Sequence, residues 1–185
     1  LNRSTPLRGD QECKDWRAGD CQTDWKRTHD AIDYYMKEVG NPEINLRMVA
    51  LHSNQHIGGA HYPNRGWLNI YATGHEKTTN IFLHETGHIA GFLADEYVTD
   101  QNATYSGDEP AQANVTTILN PLNWQHWVGF EQPYTINGSP PIGTYEGAMY
   151  KGKGIFRASE QCMMNGYVNP FCAVCREKLI QDFYR

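Results

Sequence analysis

The segment HETGHIAGFLADEY, residues 84–97, decides both the fold and the chemistry expected of this chain. Within it, His84 and His88 are four residues apart, and Glu85 follows the first histidine. On an α-helix, residues four apart leave the same face about one turn from each other. Two imidazoles on one face can bind a single Zn²⁺, with the glutamate beside them to move a proton. The motif therefore predicts a helix over about residues 75–90 that carries a zinc site.

The third protein ligand of such a zinc must come from outside the helix. A catalytic zinc takes three protein ligands and leaves a fourth position for water, and the histidine pair supplies two. Gly91 predicts an abrupt end of the helix, after which a side chain can return to the metal. Asp95 is the first choice for that ligand, and Glu96 and Glu146 remain alternatives.

Hydrophobic periodicity predicts the other regular elements. We expect helices at residues 24–39 and 173–184, and strands at residues 44–51 and 67–71. The last helix is expected to turn four apolar side chains inward, namely Val174, Leu179, Ile180 and Phe183.

The remaining segments are predicted to be loops and turns that connect these elements. Residues 52–66 are rich in Gly, His and Asn and predict a loop, and residues 98–117 have no periodicity. Residues 118–150 predict turns. The expected fold class is α/β, with a mixed sheet, an active-site helix and a loop-rich C-terminal lobe. We expect one catalytic domain over residues 1–185, with lobes of about 1–91 and 92–185.

Composition limits the partners. The 185 residues suffice for one domain with a core, and the formal net charge is −5. Basic residues are not clustered, so nucleic acid is not an expected partner. No apolar run approaches the roughly 20 residues of a membrane span, so no membrane association is expected. We expect a monomer that meets a protein or peptide substrate.

Glycosylation motifs and cysteines favour a secreted, extracellular protein. The Asn-x-Ser/Thr motifs begin at Asn2, Asn102, Asn114 and Asn137. Of the five cysteines, Cys13 and Cys21 are placed to close a small loop by a disulfide bond. The chain opens on Leu1, which suggests a mature product whose leader was removed.

Residues 84–97 also resemble the signature of the IgA-peptidase-type zinc metallopeptidases, a secreted group similar to the metzincins. The chain departs from the metzincin pattern at Ala94, which occupies the usual third-ligand position. The likeness covers roughly residues 58–180 through these further segments: Gly58-Gly59, Glu109-Pro110, Asn114–Thr116, Trp124–Trp127, Tyr145–Ala148, Cys162–Met164 and Phe171–Cys175.

The resemblance implies roles for residues near the C-terminus. Met164, with Met163 as the alternative, would lie in a turn beneath the metal and fill its apolar floor. Tyr167 is a candidate for stabilising a developing oxyanion. Beside the Met turn, Cys162 would form a disulfide with one cysteine of the Cys172–Cys175 pair. With no second Cys-x-x-Cys in the chain, that pair is a weak signal for a structural zinc.

The sequence thus predicts a secreted zinc endopeptidase in which Glu85 is the general base. Residues 67–71 are expected to form an edge strand along which an extended peptide binds. One alternative is a secreted zinc-containing binding module without turnover. The intact Glu85 argues against it, because a binding-only protein needs no general base. A metal-dependent hydrolase of another amide is a further alternative.

Overall fold

The computed structural model describes residues 34, 37, 47–51, 59–62, 68–72, 78–134 and 138–184. Residues 34 and 37 are helical, in agreement with the helix predicted at residues 24–39, whose other positions lie outside the described residues. The predicted Cys13–Cys21 loop also lies outside them.

A three-stranded sheet precedes the histidine motif. Its strands are β1 (Arg47–Leu51), β2 (Gly59–Tyr62) and β3 (Leu68–Ala72), in the order β1-β3-β2. β1 runs parallel to β3, and β2 runs antiparallel to it. The strands predicted at residues 44–51 and 67–71 are therefore confirmed in place.

Two details of this sheet differ from the sequence-based expectation. β2 lies within residues 52–66, which were predicted to form a loop. Its sequence GAHY lacks β-branched residues, and its pairing with β3 overrides that weak local preference. The strand at residues 68–72 is also central among the described strands, not at an edge, and β2 takes an edge position.

Helix α1 (Thr78–Ala90) contacts β2 and β3 and confirms the helix predicted around the motif. Gly91 was expected to turn the chain by its conformational freedom, but the left-handed residue is Phe92, with φ of 47°. The glycine is needed for packing instead. A Cβ at this position would lie 3.0 Å from Cδ2 of Leu179 on the C-terminal helix.

A second sheet follows in the region that was expected to be loop-rich. Its strands are β4 (Val98–Thr104), β5 (Val115–Thr116), β6 (Tyr145–Ala148) and β7 (Tyr150–Arg157). β7 pairs with all three others, parallel to β4 and antiparallel to β5 and β6. Local sequence does not predict β4 or β7, because β4 is polar and mostly exposed, and β7 carries two glycines and two lysines. The α/β class with mixed sheets is confirmed.

Helix α2 (Ala173–Phe183) closes the described fold and confirms the C-terminal helix. Val174 is buried and Leu179 packs against the core, as expected. Ile180 and Phe183 were expected inward but are 58% and 70% exposed. The buried residues of α2 are in its first turn, so the helix enters the core at its N-terminus and ends at the surface. None of the described helices is long and apolar enough to cross a membrane.

Two apolar clusters meet at the segment after α1. One contains Leu93, Met164 and the first turn of α2, and the other contains Ala94 and Ile155. Consecutive residues 93 and 94 thus belong to different clusters. Burial on both sides fixes the path of this segment, because each side chain would lose apolar contacts if the chain shifted.

Gly87→Ala is expected to destabilise the fold by about 1–3 kcal/mol through overpacking. This loss outweighs the preference for alanine over glycine in a helix, which is about 1 kcal/mol. A Cβ at residue 87 would lie 2.8 Å from both Sδ of Met164 and Cε1 of Phe171. Urea unfolding measures the change. Gly166→Ala is the matched control, since its Cβ would meet nothing within 4 Å. Equal stability of the two variants would contradict the packing described here.

Candidate metal centre

Two imidazole nitrogens and one carboxylate oxygen converge beside α1. Oδ1 of Asp95 lies 2.9 Å from Nε2 of His84 and 3.3 Å from Nε2 of His88. One donor atom from each of the three residues lies within 4.8 Å of the other two. The two rings are 4.9 Å apart between centroids and nearly perpendicular. This set of nitrogen and oxygen donors has the chemistry of a zinc site.

Backbone carbonyls orient both imidazoles. Nδ1 of His84 lies 2.9 Å from the carbonyl oxygen of Met163, and Nδ1 of His88 lies 2.7 Å from that of Leu93. A carbonyl oxygen only accepts hydrogen bonds, so each Nδ1 carries the hydrogen and donates it. In the neutral rings, Nε2 is then the atom with a free lone pair. Second hydrogen bonds of this kind fix the tautomer of metal-binding histidines.

The charges of the protein groups favour an ionised Asp95. Burial alone would raise its pKa, but hydrogen bonds from the charged forms of His84 and His88 hold that pKa well below its usual range. For His88, burial would lower the pKa, and the hydrogen bond and charge of Asp95 raise it overall. The charge of Glu85 also raises the pKa of His88. Asp95 is therefore available as an anionic ligand.

A tight backbone turn returns Asp95 to the helix that it follows. The N–H groups of Gly91 and Leu93 both donate to the carbonyl of Gly87, at 3.1 and 3.2 Å. The left-handed conformation of Phe92 between them reverses the chain. Residue 95 thereby comes back over the histidine pair.

Neighbouring segments hold the returning chain from several sides. The Asn114 side chain accepts a hydrogen bond from the Ala94 N–H and donates one to the Ala94 carbonyl, both at 2.9 Å. The Glu96 N–H donates to the Met164 carbonyl at 2.7 Å. On the other side, the Met149 N–H donates to the carbonyl of residue 95 at 2.9 Å. These bonds leave the backbone of the segment little freedom.

The structure separates the three carboxylates that the sequence offered as third ligand. Of the residues that it describes, Asp95 is the one grouped with the histidine pair. Glu96 is fully buried, and its Oε1 lies 2.9 Å from Nδ2 of Asn114 and 3.4 Å from Sγ of Cys175. Glu146 is exposed, and its Oε1 accepts a hydrogen bond from the Gly154 N–H in the β6–β7 hairpin.

Glu85 and two tyrosines complete the surroundings of the histidines. Glu85 is only 3% exposed. The Tyr150 hydroxyl donates a short hydrogen bond to Oδ2 of Asp95, a contact that the sequence did not suggest. Tyr167, the predicted oxyanion donor, has its ring centroid 4.9 Å from that of His84. Tyr150 is the first residue of the glycine-rich strand β7, and nothing in the sequence around it predicts a hydrogen bond to Asp95. That hydrogen bond depends on the β6–β7 hairpin.

Both methionines of the predicted Met turn contact the motif helix, in different ways. Residues Met163–Asn165 form a 3₁₀ turn. The carbonyl of Met163 binds His84, whereas the fully buried Met164 side chain lies against Gly87, between the two histidines in sequence. The turn therefore supports the histidine pair through both backbone and side chain.

The structure also describes two of the predicted glycosylation motifs and His126. Asn114 was read as a glycosylation motif, but its amide is fully buried and hydrogen-bonded, so the folded chain cannot carry a glycan there. Asn102 is exposed on β4, whereas Asn2 and Asn137 lie outside the described residues. His126, expected at the surface, is 58% exposed and lies 2.9 Å from Oε2 of Glu177.

The cysteines near the Met turn are buried thiols. Cys162, Cys172 and Cys175 are all free in this structure. Sγ of Cys162 lies 3.6 Å from Sγ of Cys175, whereas a disulfide bond requires about 2.05 Å. The predicted disulfide between the Met turn and the Cys172–Cys175 pair is therefore not formed here.

Together, the helix-borne histidines, the buried Glu85 and the returning Asp95 define a candidate site of the metal-dependent hydrolase class. The chain belongs to the IgA Peptidase M64 family, whose model matches residues 41–139 and 134–183. Membership implies a peptidase, and the peptidases of this family are metallopeptidases. No curated protein matches the chain.

Asp95→Ala is expected to weaken Zn²⁺ binding at this centre by at least about 100-fold, since even residues that only orient a ligand contribute 10–100-fold. Competition with a chelating dye measures the affinity. Glu146→Ala is the matched control and should bind zinc as the unmodified chain does, because its carboxylate lies in the hairpin. A loss confined to the control would transfer the ligand role to Glu146.

Proposed function

We propose that this protein is a secreted zinc endopeptidase, with His84, His88 and Asp95 as the zinc ligands. The observation that carries the proposal is the approach of Oδ1 of Asp95 to both imidazole Nε2 atoms. The atoms that would bind the metal show whether a zinc ion fits this site. Each Nδ1 is tied to a carbonyl, so both nitrogens that face Asp95 have lone pairs to offer in the neutral rings.

The chain's own groups would divide the chemistry as follows. A zinc ion bound here would supply Lewis acidity, which lowers the pKa of water and polarises a scissile carbonyl. Glu85 would accept the proton of the attacking water and deliver it to the leaving amine. The Tyr150 hydroxyl would hold Oδ2 of Asp95, leaving Oδ1 toward the histidines. Tyr167 remains our candidate donor to the developing oxyanion.

Substrate binding would use the first sheet. β2 is at an edge of the described strands, and it contacts α1, which carries the histidine pair. An edge strand offers unpaired N–H and C=O groups that an extended peptide can satisfy. We therefore assign the peptide-binding role to β2 (Gly59–Tyr62), replacing the central strand that the sequence suggested.

The remaining parts of the proposal concern the setting of the enzyme. The exposed Asn102 on β4 supports secretion as a glycoprotein, since its motif is accessible. We propose one catalytic domain that acts as a monomer. The rival function, a zinc-containing binding module, is disfavoured by the burial of Glu85, which directly follows His84 on α1, because binding alone does not need a carboxylate there.

Glu85→Gln is expected to lower peptide cleavage by about 10²–10⁴-fold, because the amide cannot accept the proton of the attacking water. Zinc content should stay unchanged, since Glu85 is not among the grouped donor residues. Mass spectrometry of a peptide library, with and without a zinc chelator, measures the turnover. Glu131→Gln makes the same change at an exposed residue and should retain full activity.

Two results would count against the proposal. Full activity of the Glu85→Gln variant would show that Glu85 is not the general base. Cleavage that survives complete zinc removal would show that the reaction does not need the metal. A wild-type chain that binds zinc but cleaves nothing in the library would favour the binding module.

A further inference from the structure

A second group of metal-binding side chains lies next to the first. Asp95 faces the histidine pair, and the following residue, Glu96, faces three cysteine thiols. One ligand atom from each of Glu96, Cys162, Cys172 and Cys175 lies within 4.8 Å of the other three. All four residues are no more than 2% exposed. Ordinary apolar packing does not account for a carboxylate among three thiols.

Two distances within this group match the edges of a tetrahedral metal site. Sγ of Cys162 and Sγ of Cys175 are 3.6 Å apart, and Sγ of Cys175 lies 3.4 Å from Oε1 of Glu96. With Zn–S bonds of about 2.3 Å and Zn–O bonds of about 2.0 Å, a tetrahedron has S···S edges of about 3.8 Å and S···O edges of about 3.5 Å. A disulfide would require sulfur atoms about 2.05 Å apart.

Glu96 carries an unsatisfied polar atom inside the core. Its Oε1 accepts a hydrogen bond from Nδ2 of Asn114, but its Oε2 has no hydrogen-bond partner among the described residues. A buried carboxylate oxygen without a partner costs considerable free energy, and such groups call for a bound ion or water. A cation held by the neighbouring thiolates would balance the charge of the carboxylate and lower this cost.

The backbone at the start of α2 favours a thiolate at Cys172. Cys172 is the N-cap residue of α2, where the helix dipole stabilises negative charge. Its N–H donates to Sγ of Cys162 at 3.3 Å. The negative ligands of a bound cation would thus have partial compensation from the protein.

We propose that Cys162, Cys172, Cys175 and Glu96 bind a second, structural zinc ion. Three sulfur ligands and one oxygen fill a tetrahedral sphere and leave no position for water, which distinguishes this site from the first. The ion would join three parts of the chain: the Met turn, the start of α2 and the segment that carries Asp95. It would therefore fix the position of the neighbouring catalytic ligand without touching substrate.

The rival state is a disulfide between two of the three thiols, which an oxidising compartment would favour. The two states exclude each other, because a disulfide sulfur is not a thiolate ligand. Complete burial of the thiols would protect a zinc-bound cluster from oxidants.

The test uses the full chain with His84→Ala and His88→Ala, which removes the first centre and leaves every cysteine intact. Elemental analysis is expected to find about one zinc per chain, and X-ray absorption at the zinc edge a sulfur shell at about 2.3 Å. Adding Cys172→Ser or Glu96→Gln should lower the zinc content severalfold. Glu131→Gln, the matched control for Glu96→Gln, makes the same change at an exposed carboxylate and should leave zinc content unchanged.

Three outcomes would overturn the proposal. They are a folded double variant without zinc, bound zinc without sulfur scattering, and a disulfide at Cys162 detected by mass spectrometry without reduction. If Cys172→Ser does not fold, the absorption measurement on the variant with intact cysteines still decides. The two proposals fail in different ways. If the site of His84, His88 and Asp95 binds no zinc, the zinc content of the wild-type chain falls by one ion, whereas the zinc content of the His84→Ala, His88→Ala variant stays the same.

Discussion

The contact between Oδ1 of Asp95 and the two histidine Nε2 atoms is the interaction on which the architecture depends. It requires the chain to reverse within a few residues of the end of α1. Phe92 adopts a left-handed conformation to achieve this, and Gly91 lets α2 approach closely. The costs of an uncommon conformation and of an ordered turn are offset by burial on both sides of the segment.

Elements distant in sequence are arranged around that reversal. Asn114 binds the backbone of residue 94, the Met turn binds the backbone of residue 96, and the β6–β7 hairpin binds the carbonyl of residue 95. The same Met turn orients His84 through a carbonyl. One rigid segment therefore positions both the carboxylate and an imidazole. If the cysteine cluster binds zinc as proposed, the segment has a metal on each side.

Local sequence predicted the parts of this arrangement that depend on local geometry. The spacing of His84 and His88 implies a shared helix face, and α1 forms there. The choice among Asp95, Glu96 and Glu146 depends on which way each side chain points after the turn, and a sequence pattern does not encode that direction. The resemblance to a family supplied the rest of the expectation, and the family match agrees with it.

Tertiary contacts explain what the sequence did not predict. β7 is stabilised by three partner strands, so its glycines and lysines do not prevent it from forming a strand. Asn114 has a local glycosylation motif, yet its burial and its bonds to residue 94 arise only on folding. The cysteine cluster was missed because a single Cys-x-x-Cys gives a weak signal. Of the other two members of the cluster, Cys162 lies ten residues before Cys172, and Glu96 lies in the distant segment after α1.

Anomalous diffraction at the zinc absorption edge tests the central claim most directly. In crystals of the chain grown with zinc, we expect a peak about 2.0–2.2 Å from Nε2 of His84, Nε2 of His88 and Oδ1 of Asp95. Its coordination sphere should keep one position open to solvent. The absence of a scatterer at these three atoms, or a sphere filled by four side chains, would contradict the account.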